Sequence, residues 1–326
     1  MLEALLKKAE EKGIPGGEVL LAEKGRIKEY HSYGYLSIVP EKIPWERGRF
    51  LDLASITKPL VTAFLILYFA SKGELSLEDD IGKYVPELSH WKVAIIELAT
   101  HSAGLPAWVP LYRGGAGRQA MLAELATLEP SKRGQVVYSC PGYIALGLVI
   151  EKLTDSRIRD FVPEFFLEYG IEIKYGKIPE EISVPTELGN IYEREKAGQV
   201  KVKFRENLIW GEVHDGNSYY WGGDAGNAGA FAKADDLIKF PLLMDILGDY
   251  RKFATECLVE TRSFGWDTRG DVILHHGFTG GTLIINPVKQ RLAFVYLNRT
   301  HPYVRFEEME ELRREFMKIS LQTLKK

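Results

Sequence analysis

The segment LDLASITKPLVTAFLILYFASKG, residues 51–73, places Ser55 just ahead of an apolar run that Gly73 ends. From Leu60 to Ala70 only Thr62 breaks the apolar character, so the pattern predicts a helix buried on all sides. That run is well short of the roughly 20 residues that span a bilayer and reads as an interior helix, not an anchor. Ser55 then lies at or near the helix N-terminus, and Lys58 shares its face. A serine hydroxyl is a poor nucleophile until a neighbour takes its proton. A lysine can do so when burial or nearby positive charge lowers its pKa. Backbone N–H groups at a helix start also point toward negative charge, as a tetrahedral oxyanion requires.

The spacing does not decide by itself, because Ser89-His-Trp-Lys92 repeats it in a stretch that reads as a loop. The surroundings of residues 51–73 matter more. Leu2, Leu5, Leu6 and Ala9 form one helical stripe, and residues 17–37 (GEVLLAEKGRIKEYHSYGYLS) read as a hairpin turning at Lys24-Gly25. Near the other end DVILHHG (271–277), TLIINP (282–287) and RLAFVYLN (291–298) read as three strands, with turns at 278–281 and 287–290. A last helix carries Met309, Leu312, Phe316 and Ile319. The expectation is an α+β fold: a five-stranded antiparallel sheet flanked by terminal helices, built from residues 1–51 plus 241–326. A mostly helical insertion spans 52–240, and the cleft between the two parts is the ligand site.

At 326 residues and 45% hydrophobic content the chain can bury a large core without a disulfide or metal staple. The formal net charge of −3 offers no footprint for nucleic acid or an anionic membrane, which leaves a small neutral or mildly charged partner. Cys140 and Cys257 are the two cysteines, and MLEALLKKAEEKG lacks the layout of a secretory leader, so the expectation is a cytoplasmic protein with reduced thiols. Frequent Glu, Lys, Ile and Tyr with sparse Asn and Gln are a bias of heat-adapted proteins.

Two more segments bear on Ser55. VVYSCPGYIALGLVIEK (136–152) presents Tyr138 and Cys140 ahead of a helix, and VILHHGFTGGTLII (272–285) presents His275-His276-Gly277 at a strand end before a glycine turn. With ASITK, in this order, they resemble the S-x-x-K, Y-x-N and K-T-G elements of the serine β-lactamase and penicillin-binding-protein superfamily. The variety is similar to class C β-lactamases and their esterase and D-aminopeptidase relatives. ELATHSAGLP (97–106), residues 211–240, FGWD (264–267) and YLNRTHP (296–302) resemble further segments of that branch, so the likeness runs from residue 16 to 303. It implies Ser55 as nucleophile, Lys58 as proton acceptor, Tyr138 as second base, and an oxyanion hole of the Ser55 and Phe278 backbone N–H groups. His275 falls where the third motif has lysine, and His276 and Gly277 border the substrate.

Cys140 stands where the family has Asn or Asp, which puts recognition of a β-lactam or peptide acyl amide in doubt; as a thiol it is either reactive or a buried filler. His275 in place of lysine implies a group that titrates near neutrality and an activity that changes with pH. Trp108–Gly117, with Tyr112 and Arg113, reads either as a border of the acyl pocket or as a surface turn.

The implied activity is a carboxylesterase on small esters, or an amidase or peptidase on D-amino-acid substrates. A β-lactamase or DD-peptidase activity and a non-catalytic scaffold are the alternatives. No cofactor or metal is expected; homo-oligomerisation is open. Thr100-His-Ser102-Ala-Gly104 comes within one residue of a G-x-S-x-G elbow but lacks its strand–turn–helix context. Gly223, Gly226 and Gly229 miss the dinucleotide and phosphate-loop spacings and read as turns.

Overall fold

A computed structural model describes residues 1–247 and 250–325. Its strands, in chain order, are β1 (Gly16–Glu23), β2 (Arg26–Ser37), β3 (Ile43–Pro44), β4 (Leu51–Asp52), β5 (Ile173–Lys174), β6 (Phe231–Ala232), β7 (Asp267–Arg269), β8 (Val272–His276), β9 (Gly281–Asn286) and β10 (Arg291–Leu297). The main sheet runs β3-β2-β1-β10-β9-β8-β7 and is antiparallel throughout. Its five inner strands are those expected from the sequence. The two edge strands were not expected, since two or three residues are too few to show a period-2 pattern. Pro44 suits an edge, where its missing N–H costs no ladder bond.

Both faces of the sheet are covered, and β10 shows how the alternation divides them. Ala293, Val295 and Leu297 face the helices Leu2–Glu11 and Glu307–Lys325, packing with Leu5, Leu6, Leu312 and Phe316. Lys8 joins these two helices through Glu311 and Glu315, each at 2.7 Å. Leu292, Phe294 and Tyr296 face the larger apolar cluster, which contains Leu53, Ile56, Leu60 and Phe64. A second sheet, β4-β6-β5, ties Leu51–Asp52 to the loop carrying Phe231 and was not foreseen. The segment Ala54–Ser71 has the length and mean hydropathy, 1.4, of a membrane span, but 78% of it is buried inside the protein.

Glu18, on β1, points into this interior at 2% exposure and accepts hydrogen bonds from the Tyr30 hydroxyl at 2.8 Å and Trp45 Nε1 at 3.3 Å. Burial pushes its carboxyl up to about 7. The folded chain therefore keeps a proton that the unfolded chain releases above about 4.5. Its contribution is full below that pH and is lost as pH rises through about 7, a difference of about 3 kcal/mol. Glu18→Gln keeps an acceptor for Tyr30 without the charge. It is expected to match the parent at pH 4.5 and to be more stable by about 3 kcal/mol at pH 8 in urea unfolding; equal stability at pH 8 rules this out.

Candidate active site

Leu53 to Ala63 begins the buried segment differently from a plain helix start. Ala54 adopts a left-handed φ of 45°, Ala54–Ile56 forms a 3-10 turn, and Lys58–Ala63 is π-helical before the α-helix Phe64–Ser71. The wide turn has Pro59 as its second residue, which has no N–H to donate to a tighter ladder. Ser55 and Lys58 still meet: Lys58 Nζ donates to Ser55 Oγ at 3.0 Å and to the Asn227 carbonyl at 2.9 Å, and Lys58 is fully buried. Asn227 reaches Lys58 because Gly226 abuts the helix Cys140–Thr154; a Cβ there would lie 2.2 Å from the Tyr143 carbonyl. Gly226 is thus a close approach as well as part of the turn expected of it, between the bridged Ala225 and Ala228, while Gly223 and Gly229 have positive φ.

Tyr138 enters from the loop ahead of that helix and packs beside Lys58 and Ser55. Its ring centroid lies 5.1 Å from Lys58 Nζ, 4.6 Å from the His101 ring and 5.8 Å from the His275 ring. Burial pushes its hydroxyl up, and Lys58 opposes that rise. Cys140, the first residue of the helix, is buried beside Lys58, and burial pushes its thiol up too. Burial is the largest influence on Lys58 and works against its charge. Ionised Cys140 and Tyr138 reverse the balance and hold the ammonium up to about 12. With both neutral, as their raised values require at pH 7, burial remains to weaken the ammonium.

Gly277 ends β8 against the serine loop, where a Cβ would stand 2.7 Å from the Leu53 carbonyl. Phe278 follows it. Among the described residues neither the Ser55 nor the Phe278 backbone N–H has a backbone acceptor, so both are free for an oxyanion. His275 departs from expectation. Its Nδ1 donates to the His276 carbonyl at 3.0 Å, and Nε2 is buried without a partner. Burial, then Lys58 and Arg262, drive it well below the usual histidine range. It is neutral across physiological pH, so the expected titration near neutrality does not come from this residue. His276 bonds Thr282 Oγ1 at 3.0 Å and is pushed down to about 3 by burial.

A cavity of about 240 Å³ opens on one side of Ser55, walled chiefly by Ala107, Trp108, Tyr192, Ala228 and Phe278, with Cys140 and Tyr138 at its base. Glu193, Lys196 and Asp215 supply its charged wall. A second hollow on the opposite side is bordered by His275, His276, Arg262, Arg299 and Arg313. Of the loop expected to border the pocket, Trp108 does so, with Lys196 Nζ 4.4 Å above its ring. Tyr112 does not: it is fully buried behind the wall, and its hydroxyl donates to Glu193 Oε1 at 2.6 Å. Arg113 faces outward. Ser89 and Lys92 are exposed, and Ser102 is buried against Thr100 Oγ1 at 2.9 Å, away from the cavity. Tyr192, Glu193 and Lys196, on the helix Ile191–Ala197, were missed because nothing in the order YEREKAG distinguishes a cavity wall from a solvated helix.

The Beta-lactamase family profile matches residues 2–318. An N-acetylmuramyl-L-alanine amidase of Bacillus subtilis (strain 168) is 25% identical, over 89% of this chain and 78% of its own length. Among solved structures, EstCE1, described as a hydrolase with promiscuous acyltransferase activity, superposes with a TM-score of 0.71 at 17% identity, covering 97% of each chain. A class C β-lactamase from Rhodobacter sphaeroides gives 0.71 at 18% identity over 98% of this chain and 99% of that one. At such identities the superpositions speak for the fold, and the profile match speaks for the family: the chain belongs to the β-lactamase family, a serine hydrolase of the β-lactamase-like superfamily.

Proposed function

We propose that the protein hydrolyses small esters, or amides of D-amino acids, through an acyl-enzyme on Ser55. The observation that carries this is the fully buried Lys58, whose Nζ lies 3.0 Å from Ser55 Oγ with the Tyr138 ring 5.1 Å from that nitrogen. Ser55 Oγ attacks the acyl carbon as its proton passes to the Lys58–Tyr138 pair, in which Lys58 is the neutral amine that burial favours. The pair then returns that proton to the leaving group, and water repeats the sequence on the acyl-enzyme. The Ser55 and Phe278 N–H groups receive the negative charge on the acyl oxygen.

Ala107, Trp108, Tyr192 and Phe278 make the acyl cavity apolar, and its 240 Å³ suits short acyl groups over long chains. Esters are favoured because an alkoxide leaves with less acid assistance than an amine. The amidase named among the relatives supports hydrolytic acyl transfer at this site. Cys140, where a β-lactam or peptide acyl amide would find Asn, argues against β-lactamase or DD-peptidase work.

The test is a fluorophosphonate probe with peptide mapping, run beside p-nitrophenyl esters of increasing chain length, D- and L-aminoacyl anilides and a chromogenic cephalosporin. Label on the peptide containing Ser55 and turnover that peaks at short acyl chains are expected. Label elsewhere or none overturns the proposal, the latter in favour of a scaffold. Faster cephalosporin than ester turnover moves the chain to the β-lactamases.

A further inference from the structure

Asp52 is wholly buried on β4, and among the described residues no cation lies within ion-pair distance of it, Arg205 acting only from further away. Its three oxygens instead hold three segments that converge on Ser55. Oδ1 accepts from the Ala54 N–H at 2.8 Å, fixing the left-handed residue beside Ser55. Oδ2 accepts from the His214 N–H at 2.7 Å, next to Asp215 in the cavity wall. Its carbonyl accepts from Thr279 Oγ1 at 2.6 Å, one residue past Phe278. A buried carboxylate without a counter-charge is costly, and an apolar residue could fill the same space. What the carboxylate adds is two acceptors aimed at two backbone donors. We propose that Asp52 is a positioning residue that sets the separation of the Ser55 and Phe278 N–H groups, and so the geometry of the oxyanion hole. The inference rests on the acyl-enzyme reading above.

Protonation should loosen this clamp. Burial pushes the Asp52 carboxyl up to about 6 while the His214 and Ala54 N–H groups pull it down. Asp215 raises it and Arg205 lowers it; Tyr296 faces it from β10, and His214, pushed down to about 3 by burial, stays neutral. Once protonated, one of its oxygens turns a hydrogen toward a donor.

Asp52→Asn preserves shape but sets an NH2 against one of the two N–H groups. It is expected to lower kcat for p-nitrophenyl butyrate by about 100-fold, with KM within about threefold, and to abolish an acid limb in kcat near pH 6. Should that variant not fold, Thr279→Val removes only the bond to the Asp52 carbonyl. It is expected to cost about tenfold in kcat, and Thr279→Ser to restore it. Folded variants with parental kcat, or an unchanged acid limb in Asp52→Asn, overturn the role of Asp52 alone. A parent enzyme without Ser55-dependent turnover removes the acyl-enzyme reading and this role together.

Discussion

Ser55→Ala is expected to fold like the parent and to lose about 10⁵ to 10⁶ in kcat/KM toward activated esters. The hydroxyl accepts one hydrogen bond, from Lys58, and Lys58 keeps its bond to the Asn227 carbonyl when the serine is gone. The cost in stability is about 1 kcal/mol, that of one hydrogen bond. The chemistry has no such reserve. Without Oγ no acyl-enzyme forms, and only orientation and the oxyanion donors remain to assist direct attack by water. Ester turnover by purified variant and parent, with thermal unfolding of both, measures this. Activity retained above about a hundredth of the parental rate sinks the assignment. It directs attention to Cys140, whose thiol lines the same cavity.

The parts of this site that were legible in the sequence are those fixed by local order. Ser55 and Lys58 are three residues apart on one turn, and that separation survived even though the turn is 3-10 and then π-helical. Tyr138 and Gly277 were legible only through the resemblance of their segments to the Y-x-N and K-T-G elements. The five inner strands announced themselves as runs rich in apolar and β-branched residues bounded by turn residues, while β3 to β7 were too short to do so. What could not be read was burial. His275 looked like a group free to titrate, but its neutrality comes from Tyr138, Lys58 and Arg262 closing around it, residues spread over more than 200 positions. Tyr112 was placed on the correct loop and on the wrong side of its wall, because the carboxylate that holds it, Glu193, comes from a helix 81 residues away. Asp52 carried no signal at all. Its role depends on three segments meeting in space, and a lone aspartate before an apolar run reads as an ordinary loop residue.

Lys58→Met separates the two demands placed on the lysine. Met has nearly the same length, is unbranched and adapts to irregular space, so the buried volume is kept. Removing a fully buried amino group relieves its desolvation, while the Asn227 carbonyl loses its donor at about 1–3 kcal/mol. These oppose each other, and the melting temperature is expected to move by no more than about 3 °C. Activity is expected to fall by about 10³ to 10⁴, the contribution of a positioned base. Tyr138 is then the remaining acceptor. Without Lys58 to favour its ionised form, burial holds its hydroxyl higher still, so the residual rate should climb to more alkaline pH than the parental rate does. Lys58→Arg decides between two accounts of the same loss. It restores the positive charge beside Ser55 but cannot give up a proton in the working range. If Lys58 acts by taking the serine proton, Arg is as inactive as Met. If Arg recovers the rate to within about tenfold, the charge alone was sufficient and the proton must leave Ser55 through Tyr138.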